Sequence, residues 1–242
     1  MKSVFDQSKY DLRCEWGLKG LRAVAPESDA VVVVDVLSFS TAVDIAVANG
    51  AVVLPYQWKD DSAVRYAEEK NARLASKRCS QEEYSLSPAS LRAIPTGTAL
   101  VLPSPNGSTL CFSASGVLVY TACLRNAEAV ATHLRRTAKR IAVIPAGERW
   151  PDDTPRPCLE DLVGAGAVLS MLPGTRSPEA EMAVAAFEHF RGRLPEALAT
   201  CGSGRELIER GFACDIELAA ELDVSSAVPK LASDRFENIA RQ

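Results

Sequence analysis

The chain has 242 residues, 47% of them apolar, which is enough to bury the core of one large α/β domain, and a single domain over 1–242 is the simplest organisation. A net charge of −4 gives no general attraction to nucleic acid or to an anionic membrane, and no apolar run approaches the length of a membrane span. Two histidines exclude a His-rich metal centre, and no Gly-x-Ser-x-Gly elbow supports a serine hydrolase. The seven cysteines are scattered singly, with no Cys-x-x-Cys pair, and Asp6 interrupts the only N-terminal stretch that could begin a signal peptide. Reduced thiols and a cytoplasmic protein are therefore expected.

In chain order, residues 13–16 suggest a short strand and 17–25 a helix with Leu18, Leu21 and Val24 on one face. The next stretch organises the rest. Residues 31–34 are four consecutive valines, the pattern of a strand covered on both faces in a parallel sheet. Asp35 follows at the strand's carboxyl end, and Ser38, Ser40 and Thr41 lead into a helix over 42–49 that Asn49-Gly50 terminates. A second strand over 51–54, a helix from Asp60 to about Lys70 and a weak strand over 73–75 continue a β-α-β-α rhythm. That rhythm predicts an α/β fold with a mainly parallel or mixed sheet.

The polar segments beginning at Lys77 and Ser85 carry no regular pattern. Strands are predicted over 99–102, 117–122 and 140–144, with helices over 110–114 and from Asn126 to Thr137. Three prolines then stiffen residues 148–158 into a loop kept out of the sheet, either a lid that closes over a ligand or a rigid turn anchored by a buried Trp150. A Gly/Ala-rich helix over 159–172 could pack closely at a homodimer interface or inside the monomer. The remainder reads as a helical C-terminal portion, with helices over 178–190, 194–199 and 204–210 and a short strand near Val228.

In open α/β sheets ligands bind beyond the carboxyl ends of the strands. If the predicted strands are parallel, four sets of polar residues gather there. They are Asp35 with Ser38, Ser40 and Thr41; Ser104, Asn106, Gly107, Ser108 and Thr109; Arg125 and Asn126; and Gly147, Glu148 and Arg149, with Glu160 and Asp161 beyond the loop. Asp35, Glu160 and Asp161 are hard oxygen ligands suited to magnesium. Amides and hydroxyls at the helix starts, with Arg125 and Arg149, suit phosphate. Cys201-Gly-Ser-Gly-Arg205 reads as a helix start with a binding role.

These residues, taken together, resemble a known family. Val34-Asp-Val-Leu, Asn49-Gly-Ala, Asn106-Gly-Ser, Arg125-Asn-Ala, Ala146-Gly-Glu, Glu160-Asp-Leu-Val-Gly-Ala-Gly and the tail from Ser203 through Val228-Pro are similar, in the same order, to the 2-phosphosulfolactate phosphatases, the ComB-like proteins. Ser38 and Phe39 stand where that family usually has arginine and alanine. The resemblance implies a three-layer α/β/α fold and a magnesium-dependent phosphatase that converts 2-phosphosulfolactate to sulfolactate in coenzyme M biosynthesis. The expected partner is thus a small anionic phosphoester, with no nucleic acid and no membrane. Asp35 and Glu148 would be catalytic, Asp35, Glu160 and Asp161 would hold Mg2+, and water or Asp35 itself would attack phosphorus. The alternative is an anion-binding relative without turnover.

Overall fold

The computed structural model describes residues 4–57, 60–76 and 84–241. The polar segment from Lys77 through residue 83 lies outside the described residues. The principal elements in chain order are β1 (Leu12–Cys14), α1 (Gly17–Val24), β2 (Ala30–Val34), α2 (Phe39–Ala48), β3 (Val52–Tyr56), α3 (Asp61–Glu69), β4 (Arg73–Leu74), β5 (Ala99–Pro103), α4 (Gly107–Ser113), β6 (Leu118–Ala122), α5 (Ala127–Thr137) and β7 (Ile141–Pro145). They continue with β8 (Glu148–Arg149), β9 (Pro155–Arg156), α6 (Leu159–Ser170), α7 (Pro178–Phe190), α8 (Leu194–Thr200), α9 (Gly202–Glu209), α10 (Ala213–Ala219), β10 (Pro229–Ala232) and β11 (Arg235–Asn238).

Nine strands form one mixed sheet in the order β1-β7-β2-β6-β10-β11-β3-β5-β4. The valine run is central as expected. β2 pairs in parallel along its whole length with β6 on one side and β7 on the other, Val34 standing level with Ala122 and Pro145. Because side chains alternate across a sheet, Val31 and Val33 enter the core beneath α1, α2 and α4, while Ala30, Val32 and Val34 enter the core formed with α5, α6, α7 and α8. Every one of these β2 side chains is shielded from solvent. The result is the three-layer α/β/α arrangement.

The short strand expected near Val228 is β10, and the sequence reading lacked its partner: β10 and β11 form an antiparallel hairpin inserted in the middle of the sheet, antiparallel to β6 on one side and to β3 on the other. Among the described strands, the two parallel blocks β1-β7-β2-β6 and β3-β5-β4 are joined within the sheet through this hairpin. The outer joints are narrow, with Lys230 opposite Tyr120 and Phe236 opposite Val53.

The small residues of α6 pack inside the protomer. A Cβ added at Gly164 would meet Val36 and Val34 side chains within 2.9 Å, and one at Gly166 would meet the Ala183 carbonyl of α7 at 2.0 Å. Residues 148–156 form the small β8-β9 hairpin rather than an irregular loop, and Trp150 at its tip is 54% exposed, so it is no buried anchor. Among the described residues no helix is long and apolar enough to cross a membrane, and the six described cysteines are free thiols.

Candidate active site

Asp35 is delivered by the buried strand β2 and fixed where the chain turns into α2. Its backbone amide donates to Ser40 Oγ at 2.9 Å. Its Oδ1 accepts from the Phe39 amide at 3.3 Å, and its Oδ2 accepts from the Gly107 amide at 2.9 Å. A carboxylate held by amides of two separate helix starts has little freedom to rotate. Gly107 must be glycine for this approach, since a Cβ there would lie 2.3 Å from the Phe39 ring and 2.8 Å from Asp35 Oδ2.

Glu148 arrives from the end of β7 through a turn in which Gly147 has φ +69°, and a Cβ on Gly147 would also sit 2.9 Å from the Arg156 carbonyl. Asn106 Nδ2 donates to Glu148 Oε2 at 2.9 Å. Burial, reinforced by the negative charge of Asp35, pushes the Glu148 carboxyl up to about 7; the Asn106 hydrogen bond opposes the shift without cancelling it.

Glu160 and Asp161 open α6 and are both buried. Asp161 Oδ1 accepts from the Val36 amide and Oδ2 from the Gly147 amide, each at 2.8 Å. It thereby ties the turn after β2 to the turn after β7. Burial raises the Asp161 carboxyl well above its ordinary value, with Asp35 and Glu160 adding to the effect. Glu160 Oε2 accepts from the Cys201 thiol at 3.3 Å. Burial and the Glu160 charge push that thiol up to about 12, so it is a neutral hydrogen-bond donor rather than a nucleophile.

A cleft of about 190 Å3 lies over Asp35 and Glu148, and neither Glu160 nor Asp161 lines it. Asp35, Ser38, Ser104, Asn106 and Glu148 line one side, and Ser203, Glu206 and Arg210 of the α9 region face them. The ends of β2, β5 and β7 therefore meet at one place, although β5 belongs to the second parallel block.

Several residues expected here are engaged elsewhere. The Ser40 hydroxyl is shared between the Asp35 amide and Thr121 Oγ1, and Thr41 Oγ1 donates to the Val36 carbonyl at 2.7 Å. Ser108 is fully buried, with its hydroxyl directed at the Leu102 carbonyl. The Gly107 amide serves Asp35 instead of an incoming anion. Arg125 forms an ion pair with the buried Asp44 at 3.0 Å and another with Glu221, and it also donates to the Leu218 carbonyl. Asn126 is buried, accepting from the Cys123 amide and donating to the Ala227 carbonyl. These contacts tie the end of β6 to α2 and to the segment before β10, so neither residue is brought to the cleft. Arg149 pairs with Asp153 at 3.0 Å and lines a neighbouring cavity instead. Asp161 acts as a strut between turns and, unlike Asp35, does not line the cleft.

Conversely, Glu206 and Arg210 carried no sequence signal as site residues, while Ser104, one of the polar residues expected after the strand over 99–102, does reach the cleft. Ser203 falls within the Gly-rich helix start that did point to binding, and it accepts from Arg156 Nη2 at 3.2 Å.

The family described as 2-phosphosulpholactate phosphatase matches the chain over residues 21–234. A probable 2-phosphosulfolactate phosphatase of Carboxydothermus hydrogenoformans is 30% identical over 212 residues, covering 84% of this chain and 87% of that protein. Proteins given the same name are 30% identical in Gloeobacter violaceus, over 84% of this chain and 88% of the relative, and in Symbiobacterium thermophilum, over 82% and 89%. The match spans every element that builds the carboxylate cleft, from β2 to α9, and the chain belongs to the 2-phosphosulfolactate phosphatase family.

Proposed function

We propose that this protein is a magnesium-dependent phosphatase that hydrolyses a small acidic phosphate monoester, 2-phosphosulfolactate being the substrate its relatives' names suggest. One observation carries the reading: Asp35, immobilised by two amides, shares a narrow cleft with Glu148, whose carboxyl is poised near neutrality. General acid–base catalysis is most effective when the catalytic group ionises near the working pH.

The chemistry of the donors fits a hard divalent cation. Asp35, Glu148, Glu160 and Asp161 crowd negative charge into a buried space, and Asp35 and Glu160 each disfavour ionisation of both Glu148 and Asp161. A cation relieves that repulsion. Among the described residues no three His, Cys, Asp or Glu side chains stand together as a ready cage; magnesium is commonly held by one or two carboxylates together with waters and substrate phosphate. Asp35, which lines the cleft, would hold the ion, with Glu160 adding negative charge from outside the lining and Asp161 keeping the two turns in register. When bound, it supplies Lewis-acid polarisation of a phosphoryl oxygen.

The chain's own residues do the rest. Water is the attacking group in this reading, since Asp35 is assigned to the metal and Glu148 beside it in the cleft can take the water's proton. As the water oxygen bonds to phosphorus, the ionised Glu148 takes its proton and the ester P–O bond breaks. Protonated Glu148 then returns a proton to the departing alkoxide, leaving alcohol and inorganic phosphate. Asn106 orients the Glu148 carboxyl through this exchange. Free thiols are in keeping with a cytoplasmic setting.

The test is phosphate release from 2-phosphosulfolactate and from p-nitrophenyl phosphate, with and without magnesium. Turnover that needs the metal and is abolished in Asp35→Asn supports the enzyme. Ligand-induced melting shifts with no turnover on either ester would leave an anion-binding protein instead.

A further inference from the structure

The reaction cleft has two walls of unlike chemistry. Asp35, Asn106 and Glu148 come from the turns that follow strands, and the facing wall is one side of α9. Ser203, Glu206 and Arg210 stand at positions i, i+3 and i+7, so they share one face of that helix. At about 1.5 Å per residue, Ser203 and Arg210 lie roughly 10 Å apart along its axis.

The two ends of this row differ in depth and in partners. Ser203 is only 5% exposed, and Arg156 Nη2 donates to its oxygen at 3.2 Å. The Ser203 hydroxyl donates to Cys158 Sγ at 3.8 Å, a long contact with a weak acceptor that an anionic oxygen in the cleft would displace. Burial dominates the raised carboxyl of Glu148, and the charge of Arg156 opposes that rise. Arg156 thus lends positive potential to both Ser203 and Glu148. This is the end of the cleft where phosphorus must lie if Glu148 is to reach the attacking water.

Arg210 stands at the other end, with its side chain 51% exposed. Its Nη1 donates to Glu206 Oε1 at 3.2 Å, and its guanidinium lies 6.0 Å from the centroid of the Phe212 ring. Exposed pairs at i,i+4 spacing are weak, so this one yields readily to a ligand. A guanidinium also carries several N–H donors in a planar fork. Arg210 can therefore keep Glu206 on one side and take an anion from the cleft on the other.

We infer that Arg210 is a specificity-determining residue of the cleft, receiving a second acidic group of the substrate, a carboxylate or sulfonate, while Ser203 receives a phosphoryl oxygen. The inference rests on the phosphatase reading and assigns the residues that select its substrate. At about 190 Å3 the cleft is smaller than drug-sized pockets of roughly 300–1,000 Å3, so the carbon chain between the two anionic groups is short. Glu206 holds Arg210 at the mouth between turnovers. Selection for a doubly acidic ester then resides in α9, apart from the carboxylates that carry the reaction.

The experiment compares phosphate release from phosphoglycolate and ethyl phosphate, which share a short carbon chain and differ in ending in a carboxylate or a methyl group. The proteins are magnesium-loaded wild type, Arg210→Gln, Arg210→Lys and Ser203→Ala. Arg210 is half exposed, so its replacement is not expected to unfold the chain. The wild type is expected to favour phosphoglycolate by about tenfold or more in kcat/KM, the worth of a charge-assisted contact. Arg210→Gln is expected to lower that ratio about tenfold, mainly through KM for phosphoglycolate, and Arg210→Lys to recover part of it. Ser203→Ala is expected to lower kcat/KM for both esters alike and to leave their ratio in place. A ratio that Arg210→Gln leaves intact, or a loss in that variant that falls equally on both esters, would overturn the assignment while leaving the phosphatase standing. If neither ester is hydrolysed, calorimetric titration with the same two esters decides the matter. Tighter binding of phosphoglycolate by the wild type, with the difference lost in Arg210→Gln, retains the subsite without the phosphatase, and equal or absent binding of the two overturns it.

Discussion

The amide of Gly107 and the carboxylate of Asp35 lie 72 positions apart in the chain and 2.9 Å apart in space. That one hydrogen bond joins the end of β2, in the first parallel block, to the helix that follows β5 in the second. Replacing Gly107 by alanine inserts a methyl group between the Phe39 ring and Asp35 Oδ2, both already in close contact. Overpacking of this kind costs about 1–3 kcal/mol. Gly107→Ala should therefore lower the urea midpoint while also reducing turnover more than the stability loss alone accounts for. Unchanged kinetics in a folded Gly107→Ala protein would remove Asp35 positioning from the mechanism.

Asp161 satisfies two buried amides at once, those of Val36 and Gly147. Truncation to alanine orphans both, at about 1–3 kcal/mol each. Equilibrium unfolding should show Asp161→Ala losing roughly 2–6 kcal/mol, with Asp161→Asn, which keeps one acceptor, falling between it and the wild type. A stability within experimental error of the wild type would show that the turns hold their register without this strut.

The Glu148 carboxyl gives a pH dependence of defined sign. Its folded-state value of about 7 lies above the ordinary 4.5, so the folded state holds that proton more tightly than the unfolded chain does. The corresponding stability is fully present below the ordinary value and is lost as pH rises through about 7. In chelator-treated protein the melting temperature should fall between about pH 5 and 8, and less steeply in Glu148→Gln. Carboxyl-labelled glutamate followed by NMR should show one resonance titrating near neutrality that is missing from the variant.

Magnesium should raise the melting temperature more at about pH 8 than at about pH 5, because ligating carboxylates must be ionised to bind it. Asp35→Asn should suppress the shift. Turnover should return with magnesium or manganese after chelation and not with zinc, whose preferred nitrogen and sulfur ligands are poorly represented in this cleft. Activity that survives exhaustive chelation would exclude the metal's role.

The backbone logic of the site was readable from the residues, and the side-chain logic much less so. Four valines followed by an aspartate specify a buried strand with a carboxylate at its end, and Asp35 is where that pattern puts it. Asn106 and Glu148 likewise follow strands and reach the same cleft. The hydroxyls of Ser40, Thr41 and Ser108 look identical in sequence to ligand-binding hydroxyls, but burial obliges them to satisfy backbone carbonyls and amides. Arg125 was misleading for a related reason. Asp44, buried on α2, needs a cation, and this demand exists only once α2 is packed beside the end of β6. The β10-β11 hairpin was least legible, since of its residues only Pro229 and Phe236 are buried and no apolar run marks either strand.

The position of that hairpin bears on how the chain is made. The last two strands in sequence order occupy the middle of the sheet, between β6 and β3. Until residues 229–238 emerge during translation, those two strands each present an unpaired edge, the arrangement most prone to joining a neighbouring chain. Closure of the sheet thus waits on the last two strands in sequence order, and a chain stalled shortly before Pro229 would carry all of the cleft residues yet leave two strand edges open to aggregation.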